Sequence, residues 1–300
     1  MKIQIVSGFL GAGKTTFLNR YIYCLSKQVA VIENEFGKTG LDAGLIAGNI
    51  PVKEMNAGCI CCSMAMNFRE GIQQLEKQYN LDYILIEPSG VGRLSDIVKA
   101  CVDEGYQVDK LITMLDLSSY EAYAEAFGEF YLDQIACARL ILPTNLEKVD
   151  PKSKEILLEK LHKQNPKACI YEGDWRDMDD EALLELVEMS SGYDLTPDQM
   201  VHHAPPADKI FSSVAVFEIG INGEEQLEAR LKLLNQPLYG QVLRAKGMVR
   251  SDNGSWLHFD FTPQLCIIRP LPDDVVPQEK VIFIGCGLNP DALQTLFKEK

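Results

Sequence analysis

No stretch of the 300-residue sequence approaches the roughly 20 consecutive apolar residues that span a bilayer. The N-terminus, MKIQIVSGFLGAGKTT, lacks the basic start, apolar core and small-residue cleavage site of a secretory leader. Together these absences predict a cytoplasmic protein with no membrane partner. Basic residues are also short: 29 Lys and Arg against 43 Asp and Glu leave a net charge of -14. A surface this acidic repels a phosphate backbone and argues against nucleic acid. It does not exclude a small phosphate ligand, because a local nest of backbone N–H groups can outweigh the global field. Repeats and low-complexity tracts are absent. The 46% hydrophobic and 24% charged composition is that of a soluble globular chain. Its length suggests one large domain and a smaller one.

Cysteine is not scarce. There are nine, an odd number, and in a reducing compartment they are expected to be mostly thiols. Cys24, Cys101, Cys137, Cys169, Cys266 and Cys286 are scattered in apolar contexts and read as small core residues. The stretch GCICC differs, with Cys59, Cys61 and Cys62 inside four positions.

The first two-thirds of the chain alternate short Val/Ile/Leu-rich runs with helical patterns. Strands are expected at 3–7, 29–33, 82–87, 111–116, 138–142 and 168–171, with helices between them. That alternation indicates an α/β fold with a mostly parallel sheet covered on both faces. The pattern breaks at TPDQMVHHAPPADK, which reads as a linker. Beyond it come a strand, the helix EEQLEARLKLLNQ, a hairpin turning at Asn253-Gly254 and the strand VIFIG. The expected organisation is a P-loop domain over 1–200, a linker at 201–209 and a small C-terminal α+β domain at 210–300.

SGFLGAGKTT carries the chemistry. Gly8, four residues and then Gly13-Lys14-Thr15 form G-x-x-x-x-G-K-[ST] between a strand and a helix. Glycines at Gly8, Gly11 and Gly13, with Ala12, let backbone N–H groups turn inward around phosphate oxygens. The helix beginning Lys14-Thr15-Thr16 adds its dipole. Lys14 reaches the β- and γ-phosphates and the Thr15 hydroxyl ligates Mg²⁺. The strand ending IEPSG supplies E-x-x-G, with Glu87 for a Mg²⁺-bound water and the Gly90 N–H for the γ-phosphate. Lys14, Thr15 and Glu87 are therefore the catalytic candidates for a slow nucleoside triphosphatase. No residue is legible as the one that positions the attacking water.

GTPases read the base with N-K-x-D. Here ARLILPTNLEKVD places Lys148 and Asp150 in that register, with Glu147 where Asn is usual and Asn145 two residues earlier. Asp150 points to GTP. Its competing role is a helix cap before Pro151.

Three readings stand for Cys59-Ile60-Cys61-Cys62: core packing, a Cys59/Cys62 C-x-x-C dithiol, or a thiolate metal site. The clustering favours metal. Adjacent Cys61 and Cys62 do not easily both point at one ion, so the site is expected to be incomplete, unlike the closed four-ligand structural zinc sites.

GFLGAGKTTFLN, NEFG followed by Asp42, GCICC and the E-x-x-G strand end together resemble the CobW-type metallochaperone GTPases, relatives of the nickel-insertion GTPases of urease and hydrogenase. RAKG at 244–247 and VIFIG at 281–285 resemble the family's C-terminal domain. The resemblance implies a GTP- and Mg²⁺-dependent protein that binds a transition metal, Zn²⁺ or Co²⁺ foremost, at Cys59, Cys61 and Cys62, and delivers it to a client metalloprotein or cofactor-assembly protein; the sequence leaves a homodimer open. It makes Glu35 a further metal ligand or a coupler to the γ-phosphate. E-K-x-D and E-P-S-G depart from the family's usual N-K-x-D and E-T-T-G, and only His202-His203 stands where many members carry a histidine-rich tract. Two other functions stay open: a chaperone GTPase for a cobalamin or corrinoid enzyme without free-metal cargo, and a nucleotide-dependent thiol regulator.

Overall fold

The protein is described from a computed structural model. It covers residues 1–36, 50–57, 64–190, 210–221, 223–271, 277 and 279–298. The linker, Asp42, His202, His203 and all three clustered cysteines lie outside the described residues.

Seven parallel strands form the first sheet in the order β3-β2-β4-β1-β5-β6-β7. They are β1 (Lys2–Gly8), β2 (Val29–Phe36), β3 (Val52–Ala57), β4 (Tyr83–Glu87), β5 (Val108–Asp116), β6 (Leu140–Thr144) and β7 (Cys169–Ile170). Helices α1 (Lys14–Cys24), α2 (Met64–Gln78), α3 (Leu94–Asp103), α4 (Tyr120–Phe127), α5 (Glu129–Cys137), α6 (Pro151–Gln164) and α7 (Asp180–Met189) connect them. Central strands are buried on both faces, as β5 shows over its whole length. This is why they read as continuous apolar runs. β3 was not expected from sequence. VKEMNA has neither alternation nor a β-branched run, and it survives as a strand because it lies at the sheet edge with only β2 to pair with.

The second sheet is antiparallel, in the order β11-β10-β9-β12-β8. It comprises β8 (Ser212–Phe217), β9 (Gln241–Arg250), β10 (Trp256–Thr262), β11 (Leu265–Pro270) and β12 (Lys280–Cys286), with helices α8 (Glu224–Leu233) and α9 (Pro290–Lys298). The β9–β10 hairpin turns at Asn253-Gly254 as expected, with Gly254 at φ +82°. Phe259, Phe261, Val281 and Phe283 face α8 and α9 and make this domain's own core. Among the described residues no helix is long and apolar enough to cross a membrane.

The two domains share a further core. Phe9 of the P-loop stacks on Phe127 at 4.8 Å and tilts against Tyr123 at 4.9 Å. Phe211, just before β8, packs on Phe127 at 6.0 Å and edge-on to Phe130 at 5.3 Å. Leu243, Met248, Ile282 and Ile284 from the second sheet are buried in the same cluster. Aromatic pairs at these separations add to the area they bury. Truncating buried Phe211 to alanine should therefore cost about 3–5 kcal/mol. Urea unfolding would read this, and an unchanged midpoint would mean that the domains do not share the core.

Candidate functional site

The loop after β1 is built on glycines that only glycine conformations allow. Gly8, Gly11 and Gly13 take φ of +146°, +76° and +93°. A Cβ at Gly8 would also sit 2.4 Å from the Met114 carbonyl oxygen. Positive φ at these positions lets the loop turn tightly, with the Ala12 N–H donating to the Phe9 carbonyl at 3.2 Å, and delivers the chain to the N-terminus of α1. Lys14 is 5% exposed and folds back through the loop. Its Nζ donates to the carbonyl oxygens of Gly8 at 2.9 Å and Phe9 at 3.3 Å. The Thr15 hydroxyl donates to the Glu87 carboxylate at 3.0 Å. This hydroxyl–carboxylate pair beside a buried ammonium suits a hard divalent cation and a phosphate chain.

Gly90 lies against the same loop. A Cβ there would be 2.8 Å from the Leu10 backbone nitrogen, so E-x-x-G ends in glycine to let two backbones meet. Gln134 of α5 holds the loop from behind, donating to the carbonyl oxygens of Gly90 at 3.0 Å and Gly92 at 2.7 Å.

The described walls of the cavity come from both domains. Gly11, Gly13, Lys14, Thr15, Thr16 and Glu87 face Arg244, Asp260, Thr262, Leu265 and Ile267, around a volume of about 120 Å³. Sequence reasoning missed the second group entirely. RAKG is legible as a motif, but nothing local to it reveals that β9 and β10 close over the P-loop.

The segment expected to read the base is also clearer in three dimensions. Thr144 ends β6, and its hydroxyl donates to the Ala12 carbonyl at 3.3 Å, tying this strand end to the P-loop. Asn145 follows in the left-handed region at φ +55°. Leu146–Lys148 then make a single 3₁₀ turn that carries Glu147 and Lys148. Asp150 performs the competing role: it caps α6, accepting from the Ser153 N–H at 3.1 Å, with Pro151 in the first turn. Hydrogen bonding from the Ser153 side chain, and then from this N–H, holds its carboxyl below its ordinary value. Glu147, exposed, comes within 3.9 Å of Arg176 in the loop after β7. Arg20 of α1 holds that loop, donating to the carbonyls of Trp175 and Arg176 at 3.0 Å.

Cys59, Cys61 and Cys62 lie outside the described residues, between the end of β3 at Ala57 and the start of α2 at Met64. Glu35 is described only through its backbone in β2, in register with Asn56 of β3. Two residues earlier on β2, Glu33 is in register with Glu87. Among the described residues no group of three or more His, Cys, Asp or Glu could hold a metal. Burial pushes the thiols of Cys24 and Cys101 up to about 11 and about 12, and raises Cys137 further. Cys101 and Cys137 are core residues as expected, whereas Cys266 is exposed because it lies on edge strand β11.

A methyl group at Gly90 should force the E-x-x-G loop off Leu10, a distortion of order 1–3 kcal/mol. Gly90→Ala should lower the melting temperature and weaken binding of a labelled guanine nucleotide. Wild-type values for both would show that the two backbones are not in contact.

Residues 2–172 match the family model of the CobW/HypB/UreG nucleotide-binding domain, and residues 212–300 that of the cobalamin synthesis protein CobW C-terminal domain. The zinc chaperone YjiA of Escherichia coli (strain K12) is 28% identical over an alignment of 323 residues, covering 98% of this chain and 97% of YjiA. The zinc chaperone YeiR of the same organism is 31% identical over 163 residues, covering 52% of this chain and only 50% of YeiR. A solved structure of Zn(II)-bound YjiA GTPase from E. coli covers 99% of this chain and 97% of its own, at 23% identity and a TM-score of 0.47.

Proposed function

Because the chain belongs to the CobW/HypB/UreG family, whose nucleotide-binding model matches residues 2–172, we propose that it is a GTP-hydrolysing metal chaperone. GTP is its fuel, a transition metal its cargo and a metalloprotein or cofactor-assembly protein its client. The names of YjiA and YeiR as zinc chaperones make Zn²⁺ the first cargo to test.

One observation carries the coupling of fuel to cargo. Strand β2 touches both ends of the chemistry through its register: Glu33 beside Glu87, and Glu35 beside Asn56, three residues before Cys59. Two strand residues span about 7 Å. A change in how the nucleotide holds the β4 end is therefore felt, through one short piece of strand, at the segment that leads into Cys59-Ile60-Cys61-Cys62. Those thiols with Glu35 are the proposed cargo ligands, and thiolates suit Zn²⁺. By linkage, cargo and nucleotide must alter each other's affinity reciprocally.

At the fuel site, Lys14 exchanges the Gly8 and Phe9 carbonyls for phosphate oxygens, and the backbone of Gly11, Ala12 and Gly13 encloses them. Thr15 and Glu87 would hold Mg²⁺, which when bound neutralises charge on the phosphoryl oxygens. Gly90 offers its N–H to the terminal phosphate. Guanine selection falls to Glu147 in this proposal. Thr144 anchors its strand end on Ala12, Glu147 is one 3₁₀ turn further on, and Asp150 is engaged at the cap of α6.

Three expectations follow from this reading. Lys14→Ala should abolish nucleotide binding measured by fluorescence titration, while the wild type binds. Replacing Cys59, Cys61 and Cys62 by serine should remove Zn²⁺ binding against a competing chelator and any dependence of that binding on a non-hydrolysable GTP analogue. Unchanged Zn²⁺ affinity would eliminate these thiols as the cargo site and favour the cofactor-enzyme chaperone. Glu147→Gln should erode preference for GTP over ATP by roughly tenfold or more, as loss of a carboxylate accepting from a base N–H implies. Asp150→Asn should leave that preference intact. The reverse pattern would return base reading to Asp150.

A further inference from the structure

Sheet alternation decides which residues of the second domain meet the nucleotide site. Ala245 and Phe261 are opposite one another on β9 and β10, and both enter the core beneath α8 and α9. Arg244 and Asp260, one residue away on each strand, are consequently on the other face. That face covers the P-loop. A Cβ on Gly11 would lie 2.7 Å from the Thr262 Cγ2. Arg244 and Asp260 wall the same cavity as Lys14, Thr15 and Glu87. The Arg244 Nε and Nη2 donate to the two Asp260 carboxylate oxygens at 3.0 Å and 2.6 Å. The arginine side chain is only 13% exposed.

We propose that Arg244 is a nucleotide-phosphate ligand supplied in cis by the C-terminal domain, and that Asp260 is the positioning residue that holds its guanidinium at the cavity until a triphosphate arrives. The inference rests on the P-loop reading above and adds a residue to it. Three physical facts carry it. The protein has a net charge of -14 and two carboxylates, Glu87 and Asp260, already line this cavity. Lys14, the backbone nest and Mg²⁺ at Thr15 and Glu87 would all serve the P-loop wall, whereas on the facing wall Asp260 needs a cation beside it before a polyanion can approach. A guanidinium offers five N–H donors in a planar fork that matches phosphate oxygens in pairs. Arg244 meets that need in place. The cavity, at about 120 Å³, is also well below the ~300 Å³ at the small end of ligand sites. A triphosphate extends beyond this volume, and the cation lining the wall opposite Lys14 among the described residues is Arg244. In the transition state for phosphoryl transfer, an arginine so placed stabilises charge spreading over the equatorial oxygens. The posture of the second domain then depends on whether the terminal phosphate is present, which gives hydrolysis a direct lever on the domain.

The experiment compares wild type, Arg244→Ala and Arg244→Lys for affinity toward fluorescent GDP and a fluorescent non-hydrolysable GTP analogue, for single-turnover GTP hydrolysis, and for melting temperature without nucleotide. Arg244→Ala is expected to weaken the GTP analogue by roughly thirtyfold, as removal of one partner from a buried charged pair implies. It should affect GDP much less, and slow hydrolysis by about 10³-fold. Arg244→Lys keeps the charge and stem but loses the fork. It should retain the wild-type melting temperature and still lose most of the hydrolysis rate. If Arg244→Ala does not fold, Arg244→Lys decides by the same criteria. A folded variant whose GTP-to-GDP preference and hydrolysis rate stay within twofold of wild type would overturn the proposal and make the Arg244–Asp260 pair purely structural. Failure of the wild type itself to bind either nucleotide would instead overturn the P-loop reading.

Discussion

A buried ammonium organises the first domain. Lys14, at 5% exposure, keeps its charge inside the protein by donating to the carbonyls of Gly8 and Phe9. Burying a charge is costly unless strong hydrogen bonds replace its water. The loop that carries those carbonyls folds tightly with Gly8, Gly11 and Gly13 at positive φ. The same backbone course leaves the Thr15 hydroxyl against Glu87 and brings Gly90 up to Leu10. A phosphate chain that draws Lys14 off those carbonyls therefore disturbs the end of β4 as well.

Phe9, a residue within that loop, carries the constraint into the second domain. Its ring is packed among Tyr123, Phe127 and Tyr131, and Phe127 in turn meets Phe211. Close-packed interiors transmit displacement rather than absorb it. Among the described residues, the P-loop thus meets the C-terminal sheet through the apolar cluster around Phe9 and through the close approach of Gly11 to Thr262, beside the cavity that Arg244 and Asp260 help to wall. This arrangement provides a short mechanical route from the nucleotide site to the C-terminal sheet.

Much of the first sheet was legible because central parallel strands are buried on both faces and read as apolar runs. The edge strand β3 was not, because an edge strand needs only one partner and tolerates Lys53 and Glu54. The P-loop was legible because its residues are contiguous and each has a backbone reason to be there. The base-reading segment was harder. Lys148 and Asp150 matched a familiar spacing, yet Asp150 is drawn to the first N–H groups of α6, and spacing alone cannot distinguish a cap from a ligand. Thr144 on Ala12, the contact that sets this segment against the phosphate loop, joins residues 132 positions apart.

The sequence by itself determined the α/β class, the phosphate loop, the E-x-x-G strand end and the family resemblance, because each depends on neighbours along the chain. Only the tertiary structure decided what stands opposite the P-loop. Arg244, Asp260 and Thr262 are more than two hundred residues from Lys14, and their side of the sheet follows from alternation about a core formed with α8 and α9. No local pattern encodes which sheet face another domain will cover. That choice came from burying Leu243, Met248, Ile282 and Ile284 against the aromatic cluster around Phe9.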